Sequence, residues 1–352
     1  MIAIKGTERV LICPLGWGLG HASRVIPIIS HLIKRGCTVI FAGDESSLTL
    51  LNIRFPKNQS IYFPSISVRF SKKGSFFSLF VIALKVIKRT ISENRELQKI
   101  INQHKIDLVI SDNRYGLYSE EIPSVLITHQ LHIVFPKPFH WFESIGEWYV
   151  LRYANRFTEC WVPDNPEGFR LSGELSQPNR LPGKIKFIGL LSRFYGHKPV
   201  EVITTWDLVA IVSGPPPHRD IFESELVDIA NRLNLKTLII QGLPLESNGQ
   251  VKGMATLAPH LPDGEMANAI LSAKFVICRS GYSTVMDLLA LGRNALLIPT
   301  PGQTEQEYLA EYFAKNRIFK KCIQSDLDKL TFLELKEIQE KDSYKLDCFF
   351  FI

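Results

Sequence analysis

Residues 10–42 read VLICPLGWGLGHASRVIPIISHLIKRGCTVIFA. Val10 to Cys13 is a short apolar run that stops at Pro14 and a glycine-rich loop, the pattern of a strand buried on both faces. After the loop, Val25, Ile28, Ile29, Leu32 and Ile33 recur at helical spacing, and Gly36 stands where a helix stop is expected. Thr38 to Ala42 is a second apolar run. Strand, loop, helix and strand in that order make a βαβ unit, which commits this part of the chain to a parallel sheet.

The same rhythm extends outward. Leu108 to Ile110, Ser124 to Ile127 and Cys160 to Val162 read as further strands, with a helix from about His140 to Asn155. The stretch from Pro163 to about Ile203 has little periodicity and is expected to hold a linker. A second α/β series follows: strands at Val209 to Val212, Thr237 to Ile240, Phe275 to Cys278 and Ala295 to Ile298. Helices intervene near Asp220 to Leu233, Glu265 to Ser272, Thr284 to Leu291 and Glu305 to Lys315. The expected fold is α/β: two Rossmann-like doubly wound domains facing across a cleft, spanning 1–165 and 206–352 around a linker at 166–205. Such sheets bind ligands beyond the carboxyl ends of their strands.

Composition narrows the function. At 352 residues the chain is too long for one ordinary core, and its 45 % apolar and 22 % charged residues suit a folded protein. The net charge of +6, from 41 basic and 35 acidic residues, suits an anionic ligand or membrane surface and is too small and scattered to argue for nucleic acid. The six cysteines contain no C-x-x-C pair, which argues against zinc and a disulfide framework and fits a reducing cytosol. No secretory h-region and no membrane-length apolar run is visible, so a cytoplasmic protein is expected, touching at most the inner face of a membrane.

Gly16-Trp17-Gly18-Leu19-Gly20-His21 follows the first strand and opens a helix. Gly18 and Gly20 let the backbone approach a ligand, and the helix start beyond them offers free N–H groups to an anion. The spacing is not the dinucleotide G-x-G-x-x-G, although Asp44 after the second strand leaves a nicotinamide reading open. His21 is a candidate general base for an acceptor hydroxyl, a device worth roughly 10²–10⁴ in rate; it reads equally as a residue that orders the helix start. Asp112-Asn113-Arg114-Tyr115 ends another strand, with Asp112 a second base candidate and Arg114 a candidate for an anionic acceptor.

In the second half, Cys278-Arg279-Ser280-Gly281-Tyr282-Ser283-Thr284-Val285-Met286-Asp287 runs from a strand through a small-residue loop into a helix. The first-turn N–H groups can hold a diphosphate without a metal, as a sugar–diphosphate leaving group requires. Asp287, three residues after Thr284, can accept from ribose hydroxyls; Thr284-x-x-Asp287 is also a capping box.

These segments resemble the family 28 glycosyltransferases, and within them the bacterial enzymes that add N-acetylglucosamine to a lipid-linked peptidoglycan precursor. Arg279, Ser280, Gly281, Ser283 and Thr284 fall in that family's C-R-S-G segment, and Asp287 matches its ribose-binding acid, with Asp for the usual Glu. Gln303, Gln306 and Glu307 fall in the donor-sugar segment, where Glu307 replaces a glutamine. Ser213 and Gly214 occupy the family's phosphate loop, but Pro215, Pro216 and Pro217 remove N–H donors there and leave Arg219 as the nearest cation. Ile127-Thr128-His129-Gln130 is similar to the H-E-Q segment, without its glutamate, and makes His129 a third base candidate.

The resemblance implies the GT-B architecture and inverting, metal-independent transfer from a nucleotide diphosphate sugar, with UDP the expected nucleotide, to an acceptor that can be lipid-linked or part of a cell-envelope glycan. No cofactor and no metal are implied. Sugar-nucleotide epimerases and hydrolases of the same fold, and a non-catalytic nucleotide-sugar-binding relative, are the competing readings.

Three features stand apart. Asp326-Leu327-Asp328 spells the D-x-D of metal-dependent transferases, or starts a short helix. Phe76, Phe77, Leu79, Phe80, Val81, Ile82, Leu84, Val86 and Ile87, fringed by Lys72, Lys73, Lys85, Lys88 and Arg89, form either a buried helix or a helix resting on an anionic membrane. The end, Cys348-Phe349-Phe350-Phe351-Ile352, suits docking on the first domain or a membrane contact.

Overall fold

The computed structural model describes residues 2–65, 76–135, 142–178, 182–197 and 206–339, with backbone alone over 76–87. The chain divides into two compact units, with the main boundary between Leu190 and Leu191.

In chain order the first unit carries β1 (Arg9–Pro14), α1 (Leu19–Arg24), α2 (Ile26–Lys34), β2 (Thr38–Gly43), α3 (Glu45–Arg54) and β3 (Gln59–Tyr62). They are followed by α4 (Phe76–His104), β4 (Leu108–Asp112), β5 (Ser124–Ile127), α5 (Glu143–Ala154), β6 (Glu159–Val162) and β7 (Ile185–Phe187). The seven strands are parallel, in the order β3-β2-β1-β4-β5-β6-β7. Leu11, Cys13, Ile40 and Ala42 pack with Leu97 and Ile101 of α4, while Leu126, Cys160 and Val162 pack with Val150 and Ala154 of α5. Covered faces explain why the central strands are apolar along their length.

The strand at Ile185–Phe187 lies inside the span expected as linker. It pairs with β6 through Cys160–Ile185, Trp161–Lys186 and Val162–Phe187, and so extends the first sheet. Its three residues are only half-buried, β3 has two half-buried and two exposed, and neither strand therefore shows an apolar run.

The second unit carries β8 (Leu208–Ile211), α6 (His218–Arg232), β9 (Thr237–Ile240), β10 (Gln250–Lys252), β11 (Ala255–Ala258) and α7 (Asp263–Ser272). After these come β12 (Phe275–Cys278), α8 (Tyr282–Leu291), β13 (Leu296–Leu297), α9 (Thr304–Lys315), β14 (Lys320–Lys321) and α10 (Phe332–Gln339). The order is β10-β11-β9-β8-β12-β13-β14, parallel except for β10. Leu208, Ala210, Phe222, Leu226, Phe275 and Ile277 anchor the core.

Each sheet reverses its winding direction once, between β1 and β4 in the first and between β8 and β12 in the second. Ligands of doubly wound sheets sit at such switch points, so the loops after these four strands are where chemistry belongs.

Candidate active site

In the first unit, Gly16 ends the β1 turn where only glycine fits. A Cβ there would lie 2.1 Å from Asp44 Oδ2 and 2.5 Å from Ser65 Oγ, and Ser65 Oγ already accepts the Gly16 N–H at 2.8 Å. Gly18 has φ +101°, which favours glycine, and α1 begins one residue later. His21 therefore stands in the first turn of α1, beyond β1. Asp112 is the last residue of β4 and pairs in register with Pro14.

His21 Nδ1 lies 3.1 Å from Asp112 Oδ2. The carboxylate accepts, so Nδ1 carries the hydrogen and Nε2 is left as the basic nitrogen. Arg24 holds the same carboxylate from its other side: Nε donates to Oδ2 at 2.8 Å and Nη2 donates to Oδ1. Burial alone pushes the Asp112 carboxyl up, but Arg24 and His21 outweigh it and hold the group below the usual carboxylate range. Asp112 is fully buried and its two oxygens are held by His21 and Arg24, a placement that suits orienting His21. His129, also buried, accepts from Arg24 Nη1 at its Nδ1, 3.2 Å away. The sequence reading singled out His21, Asp112 and His129; Arg24, which joins them, carried no motif and was missed.

Two expectations are corrected in this unit. Arg114 does not face an acceptor. It is buried, ion-paired with Glu93 at 2.8 Å, bonded to the Phe63 carbonyl at 2.9 Å and stacked 4.3 Å over the Phe63 ring, as a cation in an apolar interior must be. Asp44 does not await a ribose: it caps α3, accepting the Ser47 N–H at 3.1 Å.

In the second unit, β12 ends at Cys278 and α8 begins at Tyr282, with Gly281 as its N-cap and no side chain capping it. Thr284 thus lies inside the helix, and the capping-box reading of Thr284 and Asp287 is excluded. The helix stops cleanly at Gly292, φ +63°, where the Arg293 N–H returns to the Leu288 carbonyl at 2.9 Å. Asp287 is buried and accepts from Ser192 Oγ at 2.7 Å and from Arg193 Nε at 3.2 Å. Burial is the larger influence and raises its carboxyl above the ordinary range, against the pull of Arg193 and Ser192. Neither Ser192 nor Arg193 carries a motif visible in the sequence.

The other candidate residues of the second unit divide by what their side chains do. Ser280 Oγ donates to the Gln306 carbonyl at 2.8 Å, which ties the β12 loop to α9. Gln306 Oε1 accepts from the Thr300 N–H, and Glu307 Oε1 from the Gly302 N–H, both at 2.9 Å, so these two shape the turn before α9. Gln303 is the N-cap residue of that helix, and Ser283 and Thr284 are partly exposed in the first turn of α8.

Arg279 is buried against Phe222, its guanidinium 3.8 Å from the ring centroid, and reaches the carbonyls of Ile298, Pro299 and His218 at 3.2–3.3 Å. Arg219 Nε and Nη2 both donate to its neighbour Asp220, at 2.9 and 2.8 Å. Gly214 has φ +97°, and α6 begins directly after the three prolines, with Pro217 as N-cap.

The D-x-D aspartates sit on a 3₁₀ turn at Gln324–Lys329, with Leu327 buried between them and Asp326 bonded to Lys329 at 3.1 Å. Among the described residues no group of three or more His, Cys, Asp or Glu is placed to hold a metal ion, and no helix is long and apolar enough to cross a membrane. The helix expected near residues 76–87 is present as α4, but the side chains of that apolar stretch, and the whole of 348–352, lie outside the described residues.

Residues 262–344 match the model of the glycosyltransferase family 28 C-terminal domain. Relatives include the UDP-N-acetylglucosamine–N-acetylmuramyl-(pentapeptide) pyrophosphoryl-undecaprenol N-acetylglucosamine transferases of two bacteria. That of Pasteurella multocida is 23 % identical over 87 % of this chain and 82 % of its own, and that of Acetivibrio thermocellus 26 % identical over 81 % and 76 %. Structures similar in fold include the calicheamicin glycosyltransferase CalG4, at 13 % identity over 96 % of this chain and 91 % of that one, with a TM-score of 0.62. Acinetobacter baumannii MurG matches at 15 % identity over 94 % and 89 %, with a TM-score of 0.52. Over residues 262–344 the chain carries the family 28 C-terminal domain, and its two Rossmann-like units have the GT-B fold of glycosyltransferases.

Proposed function

We propose that the enzyme moves a sugar from a UDP-linked donor to a hydroxyl of a lipid-linked acceptor, with inversion and without a metal ion. The observation that carries this reading is the His21–Asp112 pair beyond β1 and β4, a base held in one tautomer by a buried carboxylate. In this reading the acceptor hydroxyl gives its proton to His21 Nε2 as its oxygen attacks the anomeric carbon on the face opposite the diphosphate. The bond to the diphosphate breaks on the other face, so configuration inverts. The uncapped start of α8, with Ser283 and Thr284, stabilises the departing charge through N–H groups and hydroxyls in place of a cation. Asp287, steadied by Ser192 and Arg193, takes the ribose hydroxyls, and Gln306 with Glu307 shapes the loop that meets the sugar. Gly20, Gly214 and Gln303 line the loops that border these groups.

A lipid-linked acceptor places the enzyme at the cytoplasmic face of a membrane. Support comes from α5, whose outer stripe exposes Ile145 and Trp148, 54 % and 64 % accessible, one helical step from exposed Arg152. The helix lies beside α4, joined by the Thr90–Tyr149 hydroxyl contact at 3.0 Å.

Calorimetric titration with UDP, GDP, dTDP and NAD, followed by UDP-release assays with UDP-N-acetylglucosamine with and without a pyrophosphoryl-polyprenyl sugar acceptor, tests the reading. UDP should bind in preference to the others, and its release should depend on acceptor and fall about 10²-fold or more in His21→Ala. Tight binding of NAD alone, or complete turnover with no acceptor, would sink it.

A further inference from the structure

Arg24 is 2 % exposed, and its guanidinium carries only donors. Through Nε and Nη2 it faces both oxygens of Asp112, and through Nη1 it faces His129 Nδ1. Two consequences follow from those contacts. Asp112 has a fixed positive partner, so it stays ionised and remains an acceptor for the His21 N–H. His129 Nδ1 must be unprotonated to accept from a donor, which leaves that ring neutral with its hydrogen on Nε2.

The groups acting on Asp112 are Arg24 and His21, with His129 joined through Arg24. Tyr115, on the loop after β4, also feels the Arg24 charge, and burial pushes its hydroxyl far above the usual range, so it stays neutral.

We infer that Arg24 is a positioning residue for glycosyl transfer: by clamping Asp112 and His129 it makes His21 the one histidine of the pair that cycles a proton. The inference rests on the reading of His21 as the base.

The test uses the full chain as wild type, Arg24→Met, Arg24→Lys and His21→Ala. UDP release from UDP-N-acetylglucosamine with the pyrophosphoryl-polyprenyl acceptor is followed against pH, beside ¹⁵N spectra of the histidine rings. Losing one charge beside the pair should cost Arg24→Met about 10-fold in kcat on the acid side, recovered at alkaline pH, with the donor KM unchanged. Arg24→Lys restores charge without the fork and should recover part of the loss. In wild type the His129 ring should keep its hydrogen on Nε2 from about pH 5 to 8.

A loss of equal size at every pH, an unmoved profile, or a His129 ring that titrates in the wild type would overturn the inference. If Arg24→Met does not fold, the wild-type ring spectra still decide. Full activity in His21→Ala would instead remove the reading on which the inference stands, whatever Arg24 does.

Discussion

Replacing Arg279 with lysine separates support of the donor half from contact with the donor. The guanidinium is 1 % exposed, lies 3.8 Å over Phe222 and serves the carbonyls of Ile298, Pro299 and His218. Burial lowers it to about 10, so it is still a cation at neutral pH. Lysine keeps the charge but reaches one carbonyl and loses the planar stack. Two buried carbonyls then lose partners, at about 1–3 kcal/mol each before relaxation, and part of a cation–π contact goes with them. We expect the second unit to lose about 2–4 kcal/mol in stability. Hydrogen exchange of the β8, β12 and β13 amides reads that loss without assuming that the two units unfold together. At low temperature, with the unit still folded, UDP affinity measured by calorimetry should change less than about threefold, because no contact with the ligand is removed. A fall of more than about tenfold in UDP affinity with unchanged exchange would show the guanidinium at the diphosphate and refute the reasoning.

Asp287 gives a pH signature. Its carboxyl is raised by burial, and protonation removes an acceptor for ribose hydroxyls, so UDP affinity should fall as the pH drops through that raised value and stay low at all pH in Asp287→Asn. A flat wild-type titration would count against the ribose contact. Gly16→Ala puts a methyl where Asp44 and Ser65 already stand, and should cost about 1 kcal/mol through the α3 cap. It should also slow transfer by about 10²-fold by displacing the turn before His21, while UDP binding in the second unit is retained; unchanged kcat would show that the turn yields freely. Ile145→Glu with Trp148→Glu should abolish co-sedimentation with anionic phospholipid vesicles and leave UDP binding intact, and undiminished sedimentation would place the membrane contact elsewhere.

Apolar runs made the central strands legible. Ser124–Ile127, Thr237–Ile240 and Phe275–Cys278 are buried from end to end and have the bounds that their composition implies. Edge strands were not legible, for a physical reason: Gln250–Lys252 is wholly exposed and β14 is two lysines, so hydrogen bonding alone defines them. The site divides the same way. Loops after strands reveal His21, Asp112 and Ser280 to Asp287 by position. Arg24, Ser192 and Arg193 act through contacts between segments distant in sequence, and no local pattern announces them. Arg114 and Arg279 show what position alone leaves out. An arginine at a strand end reads as an anion site, yet each is buried, with Arg114 held by a carboxylate and a carbonyl and both Arg279 Nη atoms on carbonyls.

The departures from the family pattern fit together once those contacts are recognised. The prolines before α6 remove N–H donors from one phosphate loop, and Arg219 beside them is engaged by Asp220. In the proposed reading, charge stabilisation for a leaving diphosphate then falls on α8, the helix whose start bears no side-chain cap. A helix start binds through partial charges worth about 0.3–1 kcal/mol each when exposed, so its hold on a diphosphate depends on the loop being held still. Ser280 bonded to the Gln306 carbonyl and Arg279 bonded to the Ile298 and Pro299 carbonyls supply that rigidity from two directions. In the proposed reading the buried polar groups flanking α8 serve catalysis by fixing a dipole, and the chemistry of the proton falls to a separate cluster around Asp112 in the first sheet.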